Sequence, residues 1–133
     1  MWYNSTSKCK RKLNSSCEIN VEVFSSSWSG YKDELAWGAL WLYKATGDNQ
    51  YLDTAKQNFD CNSNLWFGWD NKMAGAQVLM YDVTGHDPQY KTCIDNFMNA
   101  LDSATYTPKG LIFVDKWGSN RHAGNNAHLC AQV

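Results

Sequence analysis

Ser29–Asp48 reads SGYKDELAWGALWLYKATGD, and this stretch decides the fold. Asp33 is placed to cap a helix N-terminus. After it, Leu35, Ala36, Trp37, Ala39, Leu40, Trp41, Leu42, Tyr43 and Ala45 follow turn after turn. Apolar residues fall all round this helix, so the pattern predicts one surrounded by protein, with Trp37 and Trp41 in the core. Gly47 suits the left-handed position that closes a helix, and Asp48 can cap the next one.

A second kind of helix follows. From Gln50 to about Asp60 the apolar residues Tyr51, Leu52, Ala55 and Phe59 make a single stripe, with Asp53, Lys56 and Gln57 facing away. The pair then recurs. Asn71–Thr84 is again nearly continuous (Met73, Ala74, Ala76, Val78, Leu79, Met80, Val83), Gly85 stops it, and Asp87-Pro88 opens a one-striped helix to Asp102. That stripe is Tyr90, Ile94, Phe97, Met98 and Leu101. The two Gly stops lie 38 residues apart, the span of one helical hairpin. A third buried-type helix begins near Arg121 and carries Ala123, Gly124, Ala127, Leu129, Cys130 and Ala131 to the end of the sequence without a stop signal. The order inner, outer, inner, outer, inner predicts an all-α, two-layer arc of about two and a half helical hairpins.

Composition narrows the function. The formal charge of −1 argues against nucleic acid, and the basic cluster Lys8, Lys10, Arg11, Lys12 reads as a solvated tail. No apolar run reaches the length of a membrane span, and the N-terminus lacks the apolar core of a signal peptide. Residues 1–23 read as a poorly structured segment, with a weak strand pattern over Glu18–Phe24. Asn4-Ser5-Thr6 and Asn14-Ser15-Ser16 have the form of glycosylation acceptors, a form common by chance. Five Cys and three His match no zinc pattern, and His122 and His128 lie on different helix faces, so no metal or cofactor is expected. Cys93 and Cys130 fall in helices and read as small packed apolar residues. Cys9, Cys17 and Cys61 fall in loops, which leaves room for one disulfide among them without specifying it.

Chemistry belongs where the inner helices begin, because the loops at one end of such an arc converge. Three loops lead there. The first holds Phe24, Trp28, Tyr31 and Asp33; the second runs from Leu65 to Lys72; the third runs from Thr107 to His122. Each brings at least one Trp and one Asp to the same rim. Indole faces beside carboxylates and an Arg suit a sugar chain, whose C–H face stacks on the ring while its hydroxyls take the polar groups.

SGYKDELAWGALWLYKATGD, GWDNKMAGAQVLMYDVTG and TPKGLIFVDKWGSNRHAGNNAHL together resemble three successive blocks of glycoside hydrolase family nine, mainly endo-β-1,4-glucanases. The resemblance covers roughly Phe24–Val133 and implies a partial (α/α)6 barrel with short β excursions in its rim loops. It makes 24–133 part of a catalytic domain that hydrolyses β-1,4-glucan with inversion, in a secreted parent whose signal would lie upstream. Carried over by position, Trp117 is a sugar-stacking Trp, Arg121 a hydrogen-bonding Arg, Asp70 a substrate-contacting Asp, and Trp28 a further stacking Trp. Leu65 or Trp66 falls near another. The family's base sits in an Asp-Ala-Gly-Asp-type motif and its acid is a Glu near the domain's C-terminus; neither has a counterpart here, so no catalytic residue is assigned. Asn120 and Gly124 depart from the family's usual Leu and Ala.

Plainer roles stand beside these. Asp33 and Asp70 both precede helices, where capping alone explains a carboxylate; Asp115 suits loop bracing, and Trp69 reads as core. Three functions follow: an incomplete cellulase-type domain that binds β-1,4-glucan without turning it over, a carbohydrate-binding helical module, and a helical-repeat interaction protein. An arc with open sides also predicts exposed apolar surface and self-association.

Overall fold

The computed structural model describes residues 27–62 and 64–133. The described chain forms α1 (Lys32–Thr46), α2 (Asn49–Asn58), α3 (Met73–Val83), α4 (Pro88–Asp102) and α5 (Ser119–Cys130). α1 packs on α2 and α3, and α3 packs on α4 and α5. The inner helices α1, α3 and α5 therefore stand side by side, with α2 and α4 outside the first two. The isolated bridges Phe67–Asn71 and Tyr106–Ile112 fall in the loops that lead into α3 and α5. The segment 1–23, its weak strand at 18–24, Cys9 and Cys17 lie outside the described residues.

The helix signals act as read. Gly47 adopts φ 70° and its N–H donates to Tyr43 O at 2.8 Å. The carboxylates of Asp48 and Asp87 accept from the backbone N–H groups of Gln50 and Gln89, and Pro88 opens α4. α3 is the wall shared by two cores. Met73, Ala76 and Met80 join Ala36, Leu40 and Ala55 on one side. Ala74 and Val78 join Ile94, Phe97, Leu101 and Leu129 on the other. Every residue from Met73 to Met80 is buried. Gly75 lets two aromatic rings close over this helix: a Cβ there would lie 2.5 Å from Phe67 Cε2 and 2.7 Å from Trp37 Cζ3, inside van der Waals contact.

Four expectations are corrected. The N-cap of α1 is Tyr31, without a side-chain cap; Asp33 is buried and its Oδ2 instead accepts from Lys72 N at 2.6 Å, so it braces the start of α3 across the arc. α1 is not enclosed: Trp41 and Leu42 are each 47% exposed, because among the described residues α1 has one inner neighbour and no helix packs on its other flank. α5 buries only His122, Asn126 and Leu129, and it ends at Cys130 with Ala131 as C-cap instead of running on. Cys93 is not a packed thiol. It is bonded to Cys61, Cα to Cα 4.7 Å, and ties the loop after α2 to α4. Cross-linking a loop of this length stabilises by about 3–4 kcal/mol in the chain-entropy account. Cys130 carries a free thiol. Among the described residues no helix is long and apolar enough to cross a membrane.

Candidate functional site: an indole-lined cleft at the rim

The loop between α2 and α3 is held from three sides. Gln77 Nε2, from buried α3, donates to Asp60 O at 2.9 Å and Asn62 O at 3.1 Å, beside the Cys61–Cys93 bond. From α5, Asn125 Nδ2 donates to Phe67 O at 2.7 Å and Asn126 Nδ2 to Leu65 O at 3.0 Å. At its far end Lys72 Nζ donates to Gly68 O and, at 2.7 Å, to Trp69 O, while Asn71 Oδ1 accepts from Met73 N at 2.9 Å. These bonds satisfy a loop backbone that makes little regular pairing, and so fix the side chains it carries.

The loop forms one wall of a 560 Å3 cleft that the other two rim loops complete. Trp28, Asp70, Trp117 and Arg121 all line it, so the four residues singled out as substrate contacts come together. Trp28 is 86% exposed and Trp117 80%, which leaves both indole faces available. Trp66 and Trp69 line it as well. Trp69 is 54% exposed and meets Trp28 edge-on at 6.4 Å, so its reading as core is corrected. Of the alternatives at Leu65 and Trp66, Leu65 packs against the core and Trp66 faces the cleft. Trp37 packs edge-on against Phe67, inside the arc.

Each cleft carboxylate also has a structural bond. Asp70 Oδ1 accepts from Trp28 N at 2.6 Å, and Asp70 O accepts from the hydroxyls of Ser29 (2.5 Å) and Ser27 (3.3 Å), so this residue fastens the Trp28 loop. Asp115 Oδ1 accepts from Trp117 N at 2.7 Å, the bracing role expected of it. Asn64, Asn71 and His122 also line the cleft and were missed as site residues. A lone polar residue carries no periodic signal. His122 adjoins Arg121, and nothing in the local sequence distinguishes it from a solvated helix-start histidine. His122 is 2% exposed, edge-on to Trp66 at 5.1 Å, with Nε2 3.3 Å from Arg121 Nη2. Burial, and then the Arg121 charge, push its pKa down; Asp115 pulls the other way. Among the described residues no three His, Cys, Asp or Glu side chains converge as a metal site would require.

An arc of helical hairpins with a loop-built aromatic cleft at one rim defines the class. The chain belongs to glycosyl hydrolase family 9, whose family model matches residues 2–133, and its hairpins form an arc of an (α/α)6 barrel. It is 37% identical to an endoglucanase of Dictyostelium discoideum over 90% of this chain and 18% of that one. It is 35% identical to endoglucanase A of Bacillus pumilus over 85% and 19%. The endoglucanase of the termite Nasutitermes takasagoensis superposes with a TM-score of 0.75 at 38% identity, covering 85% of this chain and 27% of that one. The cellulase Cel9M of C. cellulolyticum, solved in complex with cellobiose, gives 0.66 at 29% identity over 77% and 26%. The chain thus spans about a fifth of the length of these sequence relatives.

Proposed function

We propose that this chain supplies the substrate-gripping part of a cellulase-type endo-β-1,4-glucanase, and that the cleft binds a β-1,4-glucan chain. The observation that carries this reading is the grouping of Trp28, Trp66, Trp69 and Trp117 with Asp70 and Arg121 along one groove. Indole faces take the apolar C–H faces of successive glucosyl units, and the carboxylate and guanidinium take their hydroxyls. Trp117 and Trp28 stack, Arg121 and Asp70 hydrogen-bond. A parent protein that meets polymeric glucan is extracellular, and its role is cellulose degradation.

Inverting hydrolysis needs an acid and a base roughly 6.5–9.5 Å apart across the scissile bond. No side chain of this chain is assigned either role. Asp33, Asp70 and Asp115 each already accept a backbone N–H. The 133 residues alone should therefore bind cello-oligosaccharides without turning them over. Half-exposed Leu35, Trp41 and Leu42 on α1 should also make the isolated chain self-associate. The test is tryptophan fluorescence titration with cellotetraose beside a turnover assay on soluble cellulose. Binding without hydrolysis supports the reading; hydrolysis abolished by Asp70→Asn or Asp115→Asn would force a catalytic assignment within this chain. The same backbone-engaged carboxylates favour the second reading, a non-catalytic carbohydrate-binding module. Endoglucanase turnover by a longer parent protein would exclude it.

A further inference from the structure

Arg121 is exposed, and a long cationic side chain at the mouth of a cleft has many rotamers to choose from. Two features confine it. Gly118, at φ 69°, has no side chain, and a Cβ there would lie 3.2 Å from Arg121 Nη2, so the guanidinium rests against bare backbone. The same Nη2 also meets the buried His122 ring, Nε2 to Nη2 3.3 Å. That ring cannot move easily. Trp66 packs edge-on against it, and Asn126 Nδ2 ties the His122 carbonyl (2.9 Å) to the Leu65 carbonyl (3.0 Å) on the facing loop.

A guanidinium only donates, so a hydrogen bond between them needs the lone pair on Nε2 and puts the ring proton on Nδ1, which is buried without a partner among the described residues. We propose that His122 is a positioning residue: as a neutral imidazole it accepts a hydrogen bond from Arg121 and holds the guanidinium at the sugar-facing wall. This rests on the reading of Arg121 as a sugar contact. An imidazolium could not serve, because it has no acceptor and would set a second cation beside the first. The charged groups around the ring are Arg121 on its own helix, Asp115 on the loop before it and Asp70 on the facing loop. Arg121 opposes protonation, and Asp115 favours it.

Nitrogen-15 NMR of the whole chain reads the ring directly. The wild type should show the Nδ1–H tautomer, and Arg121→Gln should raise the pH at which His122 titrates. An Nε2–H tautomer, or a titration unmoved by Arg121→Gln, overturns the proposal. Cellotetraose affinity should fall as pH drops through the His122 titration. His122→Gln, whose amide oxygen still accepts, should keep the affinity and flatten its pH profile, while His122→Leu should weaken binding about three- to tenfold at neutral pH. A flat wild-type profile overturns the proposal, as does full affinity in a folded His122→Leu. No cellotetraose binding by the wild type at any pH would sink the sugar-site reading instead, and the tautomer and titration would still decide whether His122 holds Arg121.

Discussion

α1 and α3 are written in nearly the same alphabet, yet one is enclosed and the other is not. α3 has packed neighbours on both flanks, and its residues from Met73 to Met80 are all buried. α1 has α2 and α3, and beyond them Leu35, Trp41 and Leu42 stand half exposed. An apolar circumference therefore states how a helix can be used, and the number of neighbours states how it is used. The same holds at α5, which touches α3 and, among the described residues, has no helix on its opposite face.

The comparison is broken most directly at its buried end. Met80→Ala on α3 should lower stability by about 2–5 kcal/mol, since the side chain is fully enclosed and its removal leaves a cavity. A urea midpoint unchanged from wild type would mean that α3 is not the shared wall. Replacing Cys61 and Cys93 together by Ser should cost about 3–4 kcal/mol and loosen the loop that carries the cleft wall. Hydrogen exchange should then rise across residues 64–72 more than in α1. Gly75→Ala should cost about 1–3 kcal/mol by pushing Phe67 and Trp37 off α3. Its thermal midpoint checks this, and a stabilised variant would exclude the close approach.

The cleft sharpens the contrast between positions that carry the fold and positions that carry binding. Trp117→Ala should leave stability near wild type and weaken cello-oligosaccharide binding by about 1–2 kcal/mol, read by calorimetry. Two ionisable groups then pull stability in opposite directions with pH. Burial, followed by the hydrogen bond that its protonated carboxyl donates to Asp33, raises the Glu34 pKa above 4.5, so its contribution is present below pH 4.5 and is lost as pH rises through the folded value. His122 is depressed below 6.5, so its contribution is present above pH 6.5 and is lost as pH falls. Glu34→Gln should remove the fall in stability with rising pH that this group contributes, and His122→Gln should remove the rise that the imidazole contributes. Denaturant midpoints at several pH values would expose a wrong sign in either. The smallest effect belongs to the open flank: Leu42→Gln should change stability by no more than about 0.5 kcal/mol, while reducing self-association measured by light scattering.

Much of this architecture was legible in the residues. Gly47, Asp48, Gly85, Asp87 and Pro88 act locally, so the boundaries they set survive into the structure. Helical periodicity separated the one-striped α2 and α4 from the nearly continuous α1 and α3. The three rim loops, each with a Trp and an Asp, carried enough signal to bring Trp28, Asp70, Trp117 and Arg121 to one cleft. What local patterning could not supply was partnership between residues far apart along the chain. Asp33 looks like the cap of its own helix, and only the folded arc sets it against Lys72 N, 39 residues on. Cys93 looks like a packing residue until α4 brings it to Cys61. Trp41 and Trp69 look like core because indole usually is, and His122 gives no sign of a role until Arg121, Trp66 and Gly118 surround it. Caps, stops and stripes are fixed by bonds within a few residues, so the chain alone determined its helices and their alternation. Enclosure, cross-strapping and the protonation of a buried ring depend on which helices stand next to which, and only the tertiary structure decided that.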